Sequence, residues 1–330
     1  MPTMQIFDPA AFQAILDRAN VDSEHRLFGS SYEDDRLRFL HRCATDDRGG
    51  ERDVLTVDAA IMVRLQELAG IAPNFADPIG VAIRAATLSF LTGSPLTLPP
   101  ILLLGPPGVG KSFFARRLAE ALGVPLVEYP MNCADDPGVL VEHSLSWRGT
   151  RTGLLARTLI ETSCASPIVF VDEIDKALWK DHGDPLDVFH TLLEPENARS
   201  FIDAYIAEAP LRADKVLYVA IANDASALKP SLLDRFLTIT IDTPDDVARG
   251  AILRGQFAQA LAATNAPLDP ELDATILAAL GELTPRQTRL VFDLAIASAV
   301  SAQRTRLNCE DVRLGMRLIA GLSRQRKMGF

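Results

Sequence analysis

No stretch of the 330 residues approaches the ~18 consecutive apolar residues needed to cross a bilayer, so a membrane-spanning helix is not expected. Met1-Pro2-Thr3-Met4-Gln5 lacks the basic region and apolar core of a secretory signal. Cysteine is sparse: Cys43, Cys133, Cys164 and Cys309 stand apart without metal-like spacing, which fits reduced thiols in a cytoplasmic protein. The five histidines (25, 41, 143, 182 and 190) show no paired metal spacing either. Basic residues are in deficit, 33 against 43 acids for a net charge of −10. That balance disfavours a nucleic-acid partner without removing the possibility, because a locally basic channel is invisible in the total. Internal repeats and low-complexity segments are also missing.

What is present centres on Gly105-Pro106-Pro107-Gly108-Val109-Gly110-Lys111-Ser112. The apolar run Ile101–Leu104 precedes it, and an apolar helical pattern opens at Phe113. Strand, glycine-rich turn and helix in that order are what a P-loop requires. The glycines let backbone N–H groups turn inward around phosphates, and the new helix aims its positive end at the same point. This pattern predicts ATP and Mg²⁺ as cofactors, with Lys111 on the β- and γ-phosphates and Ser112 on Mg²⁺.

A second motif is Ile168-Val169-Phe170-Val171-Asp172-Glu173. Apolar residues ending in two acids describe a strand buried on both faces, with its carboxyl end where ligands sit in an open α/β sheet. Asp172 is expected to hold Mg²⁺ and Glu173 to act as general base on water. Another apolar strand, Val216–Ala222, ends at Asn223, which can reach the water or the γ-phosphate or else cap the next turn. Leu232-Leu233-Asp234-Arg235-Phe236 leads into a last strand, Leu237–Ile241.

The expected fold is an α/β P-loop NTPase with a parallel three-layer sheet domain, residues 74–243, followed by an all-helical lid domain, 244–330. Residues 1–73 read as a small helical N-terminal extension, in which the charge-rich stretch 33–53, with Gly49-Gly50, is expected to include a mobile loop. In the helical region Pro270 and Pro285 are placed at first helical positions, and Thr284 and Asn308 at N-caps.

With these motifs in this order, the chain resembles an AAA+ ATPase over about residues 74–330, and within that superfamily the ATPase module of Lon proteases. The more specific part is Leu193-Glu194-Pro195-Glu196-Asn197, then Ser200-Phe201-Ile202-Asp203-Ala204-Tyr205 and Leu232-Leu233-Asp234-Arg235. The resemblance implies that Asn223 is sensor 1. It implies that Arg235 is an arginine finger reaching a neighbouring subunit, and that Arg286 is sensor 2, with Arg289 as the alternate register. It places Trp147-Arg148-Gly149 where Lon carries its aromatic-hydrophobic-glycine pore loop, here with a charged second position. Lon's serine–lysine protease domain has no counterpart before Phe330. The implied protein is a ring, a homo-hexamer, that hydrolyses Mg-ATP and remodels protein clients through a central pore without its own peptidase. A nucleotide-switched assembly ATPase and a nucleic-acid motor are the alternatives.

Overall fold

The computed structural model describes residues 2–23, 31–131, 152–177, 184–203, 205–206, 208–281 and 283–328. The chain divides into two compact units. The first is Met1–Leu65 with Asp77–Leu104 and Ala115–Thr240; the second is Gln66–Ala76 with Gly105–Phe114 and Ile241–Phe330.

In the first unit, β1 (Thr3–Gln5) and β2 (Glu51–Asp53) form an antiparallel pair with Met4 opposite Arg52. Between them lie α1 (Pro9–Ser23), whose entry is fixed by the Asp8 carboxylate accepting from the Ala10 N–H, and α2 (Ser31–Ala44). The charge-rich stretch 33–53, expected to include a mobile loop, is thus α2, a short turn and β2. Phe39, Leu40 and Cys43 of α2 are buried in the main core, and the turn after it is closed by the Asp46 carboxylate, which accepts from the Gly50 N–H at 2.8 Å. Charge density pointed to solvent, but an apolar face at helical spacing won.

Arg52, 2% exposed, anchors this segment. It pairs twice with Asp46 at 3.0 Å and donates to the Leu159 and Ile160 carbonyls at the end of a helix further along. Its guanidinium also lies 5.2 Å from the centre of the Phe7 ring. Buried charge is tolerated only when paired and hydrogen-bonded in this way.

The helices α3 (Ala59–Ile71) and α4 (Ala76–Thr92) precede the main sheet. Its strands are β3 (Ile101–Leu104), β4 (Leu126–Pro130), β5 (Ile168–Asp172), β6 (Leu217–Ala222) and β7 (Leu237–Thr240). They run parallel in the order β4-β5-β6-β3-β7. Every residue of β6, and all of β5 except Asp172, is buried, which explains their unbroken apolar sequences. The crossovers carry α5 (Lys111–Leu122), α6 (Leu154–Glu161), α7 (Asp187–Leu192), α8 (Pro195–Ala198) and α9 (Pro230–Leu233).

The second unit contains α10 (Asp246–Thr264), α11 (Ala274–Leu280), α12 (Pro285–Ser301) and α13 (Cys309–Met328) around a core that includes Phe257 and Phe292. Thr284 and Gln287 form a capping box with Pro285 at the first helical position, and the Asn308 side chain accepts from the Glu310 and Asp311 N–H groups. Pro270 does not begin a helix. The Asp269 carboxylate accepts from the Glu271 N–H and pairs with Arg306, so this segment is a turn and α11 starts later, after Asp273.

Candidate nucleotide site

The glycine loop leaves β3 after Leu104 and ends where Lys111 opens α5. Gly108 and Gly110 have φ of +85° and +99°, conformations that side chains resist. Gly105 is required for a different reason: a Cβ there would stand 2.3 Å from the Ile241 carbonyl oxygen. Lys111 is 5% exposed, and its ammonium donates to the loop carbonyls of Gly105 and Pro106. Ser112 and Phe113 follow, both half-buried.

Two residues before α4 brace this loop. The Asn74 amide donates to the Val109 carbonyl at 3.1 Å. Phe75 stacks on Phe114 with ring centroids 4.7 Å apart and planes 2° from parallel, and a Cβ on Gly110 would lie 3.6 Å from the Phe75 ring. A cavity of about 360 Å³ opens beside the loop. Its walls include Ile71, Phe75, Val109, Gln256, Leu283 and Thr288. All of these residues belong to the second unit. Sequence reasoning missed the wall contributed by Ile71, Asn74 and Phe75. No motif marks this stretch in the sequence, and its part in the cavity wall depends on residues far along the chain.

The first unit carries the acidic residues. Asp172 ends β5, and its carboxyl is pushed above the ordinary value of 3.8, first by burial and then by the charge of Glu173. Arg116 opposes that rise while gripping Glu128 with two contacts of 2.7 and 3.0 Å. Glu173 has φ +54°, a left-handed backbone that is unfavourable for a side-chain-bearing residue. Such strain persists where surrounding structure enforces it, often at functional sites. Asn223 follows β6 on the strand next to β5, at the same carboxyl edge. The turn beyond it is capped by Asp224, which accepts from the Ser226 N–H at 2.8 Å.

Arg235 lies after α9 in the first unit, ion-paired to Glu194 at 3.1 Å. Arg286 is exposed in the first turn of α12, as is Arg289 one turn on. Trp147, Arg148 and Gly149 lie outside the described residues.

These residues fit the cofactors that the loop implies. A glycine cradle that Cβ atoms would strain suits phosphate oxygens, and the mostly apolar cavity suits a flat base. The Ser112 hydroxyl and, in the other unit, the Asp172 carboxylate are each hard oxygen donors of the kind Mg²⁺ takes. Among the described residues no group of three His, Cys, Asp or Glu forms a metal cage.

A parallel sheet whose strand β3 feeds a glycine loop into a helix defines a P-loop nucleoside triphosphatase fold. Residues 101–242 match the family model described as "ATPase family associated with various cellular activities (AAA)". This stretch is an AAA ATPase domain, and the chain resembles the ATPase module of Lon proteases. It is 32% identical over 151 residues to Lon protease of Mycoplasma mycoides subsp. mycoides, covering 46% of this chain and 19% of that protein. With Lon protease of Metamycoplasma arthritidis the identity is 28% over 189 residues, 57% of this chain and 22% of the relative. With the peroxisomal Lon protease homolog 2 of Spinacia oleracea it is 32% over 156 residues, 47% and 18%. The chain thus spans about a fifth of these relatives' length. The solved structure of the Thermotoga maritima RuvB Holliday junction branch migration motor superposes with a TM-score of 0.48 at 17% identity, over 74% of this chain and 68% of that one. No helix of the described residues is long and apolar enough to cross a membrane.

Proposed function

We propose that the chain hydrolyses Mg-ATP as a subunit of a homo-hexameric ring and uses that turnover to remodel protein clients. The observation that carries the nucleotide part is the loop itself: two left-handed glycines under a buried lysine whose ammonium already curls toward the loop's centre. The remodelling part rests on the resemblance to the Lon ATPase module.

Mg-ATP supplies the scissile anhydride and a cation that neutralises phosphate charge. The chain's own residues divide the rest. Lys111 holds the β- and γ-phosphates, and Ser112 and Asp172 hold the ion. Glu173 accepts the proton of the attacking water, which Asn223 orients. Arg235 serves the site of an adjoining copy, where its donors offset charge developing on the transferred phosphoryl group. Arg286, in the lid formed by residues 244–330, contacts the nucleotide. The Trp147-Arg148-Gly149 loop grips the client.

The test is Glu173→Gln, assayed for ATP binding, ATP turnover and unfolding of a fluorescently labelled casein. Binding at wild-type affinity, turnover lower by about 10²–10⁴-fold and loss of unfolding are expected. Turnover equal to wild type would remove Glu173 from the mechanism. Wild-type protein that hydrolyses ATP without acting on casein or any other tested protein would remove the remodelling role.

A further inference from the structure

We infer that Glu194 is a positioning residue for Arg235, holding its guanidinium by the Nε side so that the opposite edge is aimed at a phosphate of an adjoining copy. The inference rests on the proposal that Arg235 acts across a subunit boundary.

Arg235 makes two contacts within its own chain. Nε lies 3.1 Å from the Glu194 Oε1, an ion pair whose angle makes no hydrogen bond at Nε, and the hydrogen bond that fixes the plane is Nη1 donating to the Ser231 carbonyl one turn earlier. Nη2 has no partner among the described residues. A guanidinium is a planar fork of five donors, and fixing one side of the plane also fixes the direction of the other. Glu194 is well placed to do this. It stands just before the proline that opens α8, and its backbone carbonyl accepts from the Ala198 N–H at 2.9 Å. Its side chain makes no capping bond to that helix, which leaves the carboxylate for Arg235.

The pair is too exposed to matter for folding. The Arg235 and Glu194 side chains are 29% and 44% accessible, and pairs of this kind contribute little to stability. An interaction that orients a donor needs no net stabilisation, because placing the group before the reaction removes an entropic cost from the barrier. Glu194 falls within the run that carries the specific part of the Lon resemblance, and the geometry gives this acid a use.

The experiment compares Glu194→Ala, Glu194→Gln, Glu194→Asp, Arg235→Ala and the double variant Glu194→Ala/Arg235→Ala. ATP turnover, KM and affinity for a fluorescent ADP analogue are measured on the full chain. Glu194→Ala and Glu194→Gln should lower kcat on the order of ten-fold, with KM, ADP affinity and Tm unchanged. Glu194→Asp should recover part of the loss. In the Arg235→Ala background, removing Glu194 should cause no further loss. Wild-type or raised kcat in Glu194→Ala, alongside lost turnover in Arg235→Ala, overturns the positioning role and leaves the finger intact. An equal loss with and without Arg235 also overturns it, since Glu194 would then act elsewhere. Undiminished turnover in Arg235→Ala contradicts the underlying reading instead.

Discussion

Asp172 and Glu173 end a strand that is paired on both sides and buried along its length, whereas the loop from Gly105 to Lys111 is shaped by its own backbone and a handful of braces. In the first region the core decides where the carboxylates point. A slip of register toward the strand's start would draw the Asp172 carboxylate into the buried interior, where an unpaired charge is costly. In the second region, two left-handed glycines, one close approach to Ile241 and one Asn74 hydrogen bond set the curve. The comparison teaches that Glu173, proposed above as the general base, can hold a left-handed backbone because the buried strand before it enforces it. A binding loop of the same strain must use glycine.

That difference can be broken at a single residue on each side. Gly108→Ala has the larger expected effect. Among the described residues the only atom a Cβ would meet within 4 Å is the Thr284 methyl carbon at 4.0 Å, so the variant tests backbone conformation without a clash. A left-handed alanine costs about 1–2 kcal/mol, which corresponds to roughly ten-fold weaker nucleotide binding if the loop must keep its shape. Calorimetric titration with ADP checks this, and unaltered affinity would show that the loop's φ values are not needed for binding.

Asp172→Asn has a smaller effect on stability, and a favourable one. An acid whose folded pKa is raised contributes stability below its unfolded value and loses it as pH rises through the folded one. Here the ordinary value is 3.8 and burial moves it up. Ionised Asp172 therefore weakens the folded protein at neutral pH, and the amide should raise Tm there. The gain should vanish in acid, where both forms are uncharged. Thermal melts across pH measure it, and the same variant should lose Mg²⁺-dependent turnover. A Tm equal to or below that of wild type at neutral pH would contradict the sign.

The residues that were legible in sequence are those whose identity follows from a local rule. Glycine at positive φ, an apolar run through a two-sided strand and Thr284 at a helix start are all such cases. What stayed hidden depends on distant partners. Arg52 looks like a surface charge until the carbonyls of Leu159 and Ile160 and the Asp46 carboxylate are brought to it. Asn74 and Phe75 look like the end of a helix until Val109 and Phe114 meet them. The charged stretch around α2 read as a loop because its apolar face is short and becomes decisive only in the shared core. Pro270 read as a helix start because the Asp269–Arg306 pair, which holds the turn, joins residues far apart in the chain.

The most direct measurement is the binding of ATP, in the presence of Mg²⁺, to wild type and to Lys111→Ala, with turnover followed in the same samples. Lys111 is buried over the loop and donates to its carbonyls, so its loss should weaken binding and abolish turnover while Tm without nucleotide changes little. A Lys111→Ala protein that binds and consumes ATP as wild type does would contradict the account, because the triphosphate would then be held somewhere other than the loop that begins at Gly105.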